Sequence, residues 1–151
     1  MIRILFICHG NICRSPMAEF ILKDLAAKAG REREFLISSA AVSNEEIGND
    51  MYPPAKRILR EKGVPFERRR ARRVTAEEMN AYDLVIVMDG SNRRNLERMF
   101  GPAYADKIRY LSEYAGLDRD VADPWYTDDF ETAYNDILSG CRGILAESRL
   151  P

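Results

Sequence analysis

Apolar and polar positions along the chain follow two rhythms. Ile2, Ile4, Leu5, Phe6 and Ile7 form a short apolar run rich in β-branched residues, bounded by Cys8-His9-Gly10-Asn11. Such a run reads as a buried strand. Pro16 then opens a helical pattern in which Met17, Phe20, Ile21 and Leu25 recur at three- and four-residue spacing. Gly30 closes it, so proline stands at the start of the helix and glycine just past its end. Phe35 to Ser38 predicts a second short strand. Pro53-Pro54 through Lys62-Gly63 predicts a helix with Ile58 and Leu59 facing inward. Thr75-Ala76-Glu77-Glu78 has capping-box spacing and opens a short helix. Leu84-Val85-Ile86-Val87-Met88 is the strongest strand signal in the chain. A helix from Ser91 to Phe100 follows, ending at Gly101-Pro102, and Lys107 to Leu111 reads as a weaker fourth strand. Asp128-Asp129-Phe130-Glu131 starts a last helix, expected to run to about Ser148.

Strands that alternate with helices imply parallel pairing through right-handed crossovers. The expectation is one α/β domain over residues 1–151, an open sheet of four parallel strands with helices on both faces. In such sheets a ligand sits at the carboxyl ends of the strands, where strand order reverses. The loop after the first strand, Cys8 to Ser15, is the usual place.

Composition narrows the classes. The chain has 151 residues, 46% of them hydrophobic, with 23 Lys plus Arg against 24 Asp plus Glu. That apolar content and a net charge of -1 exclude a disordered chain. Balanced charge argues against a general nucleic-acid binder. No apolar run approaches the ~18 residues of a membrane span, and the first residues lack a signal-peptide pattern. Three cysteines, an odd number, point to free thiols in a reducing cytoplasm.

Cys8-His9-Gly10-Asn11-Ile12-Cys13-Arg14-Ser15 joins a strand to a helix N-terminus. A loop wrapped into a helix start aims backbone N–H groups at one spot, and the helix dipole adds positive potential there. Such a nest binds an anion with three oxygens. Gly10 and Asn11 tolerate the positive φ that a tight cradle needs. Arg14 at the rim offers a planar fork for two phosphate oxygens. The same field is expected to favour the thiolate of Cys8 at the cradle floor, placed to attack phosphorus. Ser15 can donate to that sulfur. The spacing of Cys, any five and Arg is common by chance. What singles it out is the strand before it, the Gly-Asn within it and the Ser-Pro helix start after it. The nucleotide-binding loop, with Gly-Lys-Ser/Thr, is missing.

Cleaving a phosphate ester also needs an acid for the departing oxygen. Asp123 in Val121-Ala122-Asp123-Pro124-Trp125-Tyr126 is the candidate. Pro124 restricts Asp123 to an extended conformation, and Trp125 and Tyr126 supply aromatic surface for a flat ring. Asp128, Asp129 and Glu131 are rival carboxylates that read as helix N-terminal caps.

With these two motifs the chain resembles the low-molecular-weight protein tyrosine phosphatases over nearly its whole length. The likeness includes Cys8 to Pro16 with Met17-Ala18-Glu19, Ser38-Ser39-Ala40, Glu46-Ile47-Gly48-Asn49, Met88-Asp89 with Ser91-Asn92, and Asp123-Pro124. The resemblance implies a three-layer fold with strand order 2-1-3-4 and a cysteinyl-phosphate intermediate. Cys8 would be the nucleophile, Arg14 the phosphate clamp and Asp123 the acid, then the base for the attacking water. His9, Gly10, Asn11, Ile12, Cys13 and Ser15, with Trp125 and Tyr126, would bind substrate. Asn11 would hold the loop through Ser15 and Ser39, and Cys13 would pair reversibly with Cys8 on oxidation. The implied partner is a phosphotyrosine protein, met by a monomer. Three positions depart from the family pattern. Arg69 stands where many members have the histidine that braces the loop, Glu45 where some have an aromatic, and Ser38 where some have aspartate.

Related activities leave different signatures. Thioredoxin-coupled arsenate reductases of this fold need two further cysteines near the end of the third strand, and Ile86-Val87-Met88-Asp89 has none. Cys141 reads as core. Protein-arginine phosphatases carry a small Thr in the loop where Ile12 falls here, and the bulkier residue favours a phosphotyrosine ring. A phosphate reader without turnover would lack one of Cys8, Arg14 and Asp123. The run Arg68-Arg69-Arg70-Ala71-Arg72-Arg73 reads as a solvated face neutralised by Glu67, Glu77 and Glu78, with steering of acidic phosphoproteins as a second reading. Two thiols and one histidine do not make a metal site, so no metal and no cofactor are expected.

Overall fold

Strand β1 (Ile2–Cys8) lies inside a four-stranded sheet, between β2 (Phe35–Ala41) and β3 (Leu84–Val87). Strand β4 (Ile108–Tyr110) completes the order β2-β1-β3-β4, and all three pairings are parallel. This is the expected topology. The computed structural model describes residues 1–147; Ser148, the expected end of the last helix, lies outside the described residues.

The period of two along β1 divides the core. Ile4, Phe6 and Cys8 face a cluster built with α1 (Arg14–Lys28), α2 (Pro53–Glu61), α5 (Leu111–Ala115) and α7 (Phe130–Glu147). Leu5 and Ile7 face the opposite cluster with α3 (Ala76–Ala81) and α4 (Gly90–Phe100). A strand covered on both faces reads as an unbroken apolar run, which is why β1 was legible. The chain leaves β1 for β2 on one side and reaches β3 on the other, so the switch point falls at the carboxyl end of β1, beside Cys8. Among the described residues no helix is long and apolar enough to cross a membrane.

Several elements differ from expectation. Strand β2 continues past Ser38 to Ala41, because Ser39, Ala40 and Ala41 pair with Phe6, Ile7 and Cys8. Ala41 is also bonded on its outer edge to the Arg72 carbonyl and the Val74 amide. Pairing and burial thus override the weak strand propensity of Ser and Ala. Helix α1 begins at Arg14, two residues before Pro16, whose missing N–H falls among the first-turn donors that have no intrahelical partner. Two short helices, α5 and α6 (Pro124–Thr127), carry no apolar period long enough to announce them. Asp129 does cap α7, accepting from the Thr132 N–H at 3.0 Å. Asp128 instead closes α6 with φ 58, and Glu131 pairs with Lys62 at 2.6 Å.

Helix α7 approaches α5 closely enough that a Cβ on Gly143 would lie 2.1 Å from the Tyr114 carbonyl oxygen. Gly143→Ala is therefore expected to lower stability by about 2 kcal/mol, an overpacking cost of up to ~3 less the ~1 that alanine gains inside a helix. An unchanged urea midpoint would show that α5 can move aside.

Candidate active site

Cys8 ends β1, and the next five residues turn over the N-terminus of α1. The carbonyls of this turn are tied outward. Cys8 and His9 oxygens accept from Val42 and Ser43 N–H groups at 3.1 Å each, and Ile12 oxygen accepts from Tyr52 N–H at 2.9 Å. In a trans peptide the N–H points opposite to the C=O. The amides of His9, Gly10 and Cys13 therefore turn away from those tethers, toward the inside of the loop. Arg14, the first helical residue, adds a free first-turn N–H.

Asn11 has φ 59 and is fully buried. Its Nδ2 donates to Ser15 Oγ at 2.8 Å and Ser39 Oγ at 2.9 Å. Its Oδ1 accepts from the Arg69 guanidinium and from the Arg72 backbone N–H. Because Ser15 Oγ already accepts from Asn11, its own proton is left for Cys8 Sγ, 3.0 Å away. Ser39 likewise donates to Glu19 at 2.6 Å. Gly10 has no positive φ; its need is space, since a Cβ would come within 3.2 Å of Glu46 Cγ.

Arg14 is 2% exposed. Its Nη1 donates to Asp89 Oδ2 and to the Val121 carbonyl, each at 2.8 Å, and Nη2 lies 3.5 Å from Asp123 Oδ2. Burial opposes its charge, but the Cys8 sulfur, Asp89 and Asp123 outweigh burial and hold its pKa above the ordinary value. Asp89 is placed by a capping box at the start of α4, accepting from Asn92 N–H while Asn92 accepts from the Met88 and Asp89 amides. Asp123 is extended before Pro124, at φ -80 and ψ 112, and accepts from Trp125 N–H at 3.0 Å. Burial, with the Cys8 sulfur and Asp123 beside it, pushes the Cys13 thiol far above its usual range.

Cys8, His9, Gly10, Ile12, Cys13 and Arg14 line one cleft with Asp123, Trp125 and Tyr126, about 100 Å³ in volume. Asn11, Ser15 and Ser39 lie behind the loop, buried, with their side chains in the supporting network. Trp125 is 50% exposed and Tyr126 82%. Cys141 is buried, as expected of a core residue.

Glu46 and Asp89 carried no role in the sequence, and Glu45 and Arg69 stood out only as departures from the family pattern. Glu45 and Glu46 line the cleft, and Glu45 meets His9 Nε2 at 2.9 Å. Asp89 orients Arg14, and its signal was the Asp-x-x-Asn cap after the strongest strand. Arg69 takes the bracing position where the family histidine was missed. The arginine run is accordingly not a uniform solvated face: Arg69 and Arg72 turn inward, Arg72 onto Glu78 and Ser38, while Arg68, Arg70 and Arg73 stay exposed.

Asn11→Ala is expected to cost at least about 2 kcal/mol in urea unfolding, from left-handed strain and stranded polar partners. Asn11→Gly strands the same partners but relieves the strain, and should be ~1 kcal/mol more stable than the alanine variant. Equal stability of the two variants would contradict strain at residue 11.

Comparison with known proteins gives a consistent result. The family model for low molecular weight phosphotyrosine protein phosphatase matches residues 3–150. The low molecular weight protein-tyrosine-phosphatase YfkJ of Bacillus subtilis is 40% identical over 148 residues, spanning 97% of this chain and 95% of its own. Its crystal structure matches with a TM-score of 0.93 at 41% identity, covering 97% of this chain and 94% of that one. The crystal structure of a Drosophila arginine phosphatase, DARP, matches with a TM-score of 0.88 at 30% identity, covering 97% and 98%.

Proposed function

The chain belongs to the low molecular weight phosphotyrosine protein phosphatase family, and from that premise we propose how its own residues hydrolyse the ester. The substrate is a phosphotyrosine protein. The observation that carries the reading is the convergence of Cys8, Arg14 and Asp123 on one small cleft beneath inward-turned amides. A cleft of about 100 Å³ is well below the roughly 300–1,000 Å³ of pockets that swallow a whole ligand. It takes the phosphate and part of the ring, and leaves the rest of the substrate on the surface.

The Cys8 thiolate attacks phosphorus, forming the S–P bond as the P–O bond to the phenol breaks. Protonated Asp123 gives its proton to the departing oxygen. Loop amides and the Arg14 guanidinium hold the phosphoryl oxygens through both steps. Asp89 and the Val121 carbonyl occupy Nη1, so phosphate meets the Nη2 side of the fork, in competition with the Asp123 carboxylate 3.5 Å away. In the second step Asp123 takes a proton from water, the water oxygen bonds phosphorus, and the S–P bond breaks. The Ser15 hydroxyl donates a hydrogen bond to the returning thiolate. Ile12, Trp125 and Tyr126 flank the ring.

A reducing compartment such as the cytoplasm suits a free thiol at this position. Peroxide would convert Cys8 to a sulfenic acid, which condenses with the Cys13 thiol to a disulfide and water. Similarity to an arginine phosphatase gives a second reading, in which phosphoarginine is the substrate. The apolar Ile12 wall favours the aryl ester, and comparing phenyl phosphate with phosphoarginine decides between them.

Cys8→Ser is expected to abolish turnover while keeping phosphate and vanadate binding; loss of both would mean a collapsed loop. Asp123→Ala should lower kcat/KM on the order of 10²-fold or more for a phenol leaving group and far less for a strongly acidic phenol. An equal loss with both leaving groups would remove Asp123 from the acid role.

A further inference from the structure

We propose that Tyr52 is a positioning residue that registers the general acid Asp123 over the phosphate loop through the ring of Trp125. The inference rests on Asp123 being the acid, as argued above. Asp123 sits in an exposed stretch in which, of residues 122–129, only Pro124 is buried. Helix α6 is four residues long and ends at the left-handed Asp128. Such a segment has few contacts of its own to fix a carboxylate, yet misplacement by about 1 Å can cost on the order of 10²-fold in rate.

Tyr52 supplies a link. Its backbone N–H donates to the Ile12 carbonyl at 2.9 Å, which ties it to the phosphate loop. Its ring lies 4.7 Å from the Trp125 ring at an interplanar angle of 52°, and 6.0 Å from Phe130, the first residue of α7. Trp125 in turn donates its backbone N–H to Asp123 Oδ1 at 3.0 Å. The acid is therefore joined to the loop by Ile12, Tyr52 and Trp125 in series, besides its ion pair with Arg14 at 3.5 Å. The ion pair alone cannot set the acid, because a bound phosphate competes for the same guanidinium. The half-exposed Trp125 ring meets Tyr52 at a tilt, so the indole both borders the cleft and holds its own backbone in register.

The test uses Tyr52→Ala, Tyr52→Phe and Asp123→Asn, each assayed for kcat/KM on phenyl phosphate and on an aryl phosphate with a strongly acidic phenol. Inhibition by inorganic phosphate is measured alongside. Tyr52→Ala is expected to lose about tenfold on phenyl phosphate and less than about threefold on the activated ester, a partial loss of general-acid catalysis. Tyr52→Phe should restore both, and phosphate inhibition should stay unchanged in the two Tyr52 variants. Equal losses on the two esters, no loss, failure of phenylalanine to rescue, or weakened phosphate inhibition would each overturn the proposal. If Asp123→Asn itself showed no dependence on the leaving group, the general-acid reading would fall and this proposal with it. A leaving-group effect in Asp123→Asn but not in Tyr52→Ala would sink only the role of Tyr52.

Discussion

One buried asparagine sets the geometry of the loop after β1. The turn after β1 must present several amides to one point, which requires its carbonyls to leave in the other direction. Asn11 makes that possible by adopting a left-handed conformation that other L-residues resist. The side chain returns the cost: two donors reach Ser15 and Ser39, and its oxygen takes Arg69 and the Arg72 amide. A fully bonded network of this kind stiffens a loop, whereas a partly bonded one weakens it.

The same network sets the polarity of the hydroxyl beside Cys8. Asn11 fills an acceptor site on Ser15, so the serine proton has Cys8 as its outlet. The chain of contacts ends at Glu19 through Ser39 and at Arg69, whose charge is opposed by burial and supported by Glu19 and Asp50. Arginine here keeps the brace cationic across the whole working range of pH, where a histidine could titrate. Arg14 is built on similar lines, with Asp89 and Val121 fixing the plane of its fork. The two arginines do different work: one shapes the loop from behind, and the other faces what the loop holds.

Legibility in the sequence followed the range of the interactions. Strands β1 and β3 are buried on both faces, and their apolar runs announce them without tertiary knowledge. Cys8 to Ser15 and Asp123-Pro124 were readable because strand, turn and helix start are local signals. The contacts of Arg69 and Asp89 were not, since they meet Asn11 and Arg14 across 58 and 75 positions of sequence. The end of β2 was hidden from the hydrophobic pattern, because Ser39 and Ala41 take their strand conformation from the neighbours that pair with them. Gly10 looked like a dihedral requirement, but its φ is not positive, and a Cβ there would make a tight contact with the Glu46 side chain. Glu45 and Glu46 reach the cleft only because the loop after β2 folds back over it.

The central claim is that phosphorus passes through the sulfur at the end of β1. Its most direct test is an acid-quenched single turnover with excess enzyme, followed by peptide mass spectrometry. The account predicts a transient phosphate adduct on Cys8, formed no slower than phenol release and lost as inorganic phosphate appears. Phenol and inorganic phosphate released together, with Cys8 unmodified at every quench time, would contradict it.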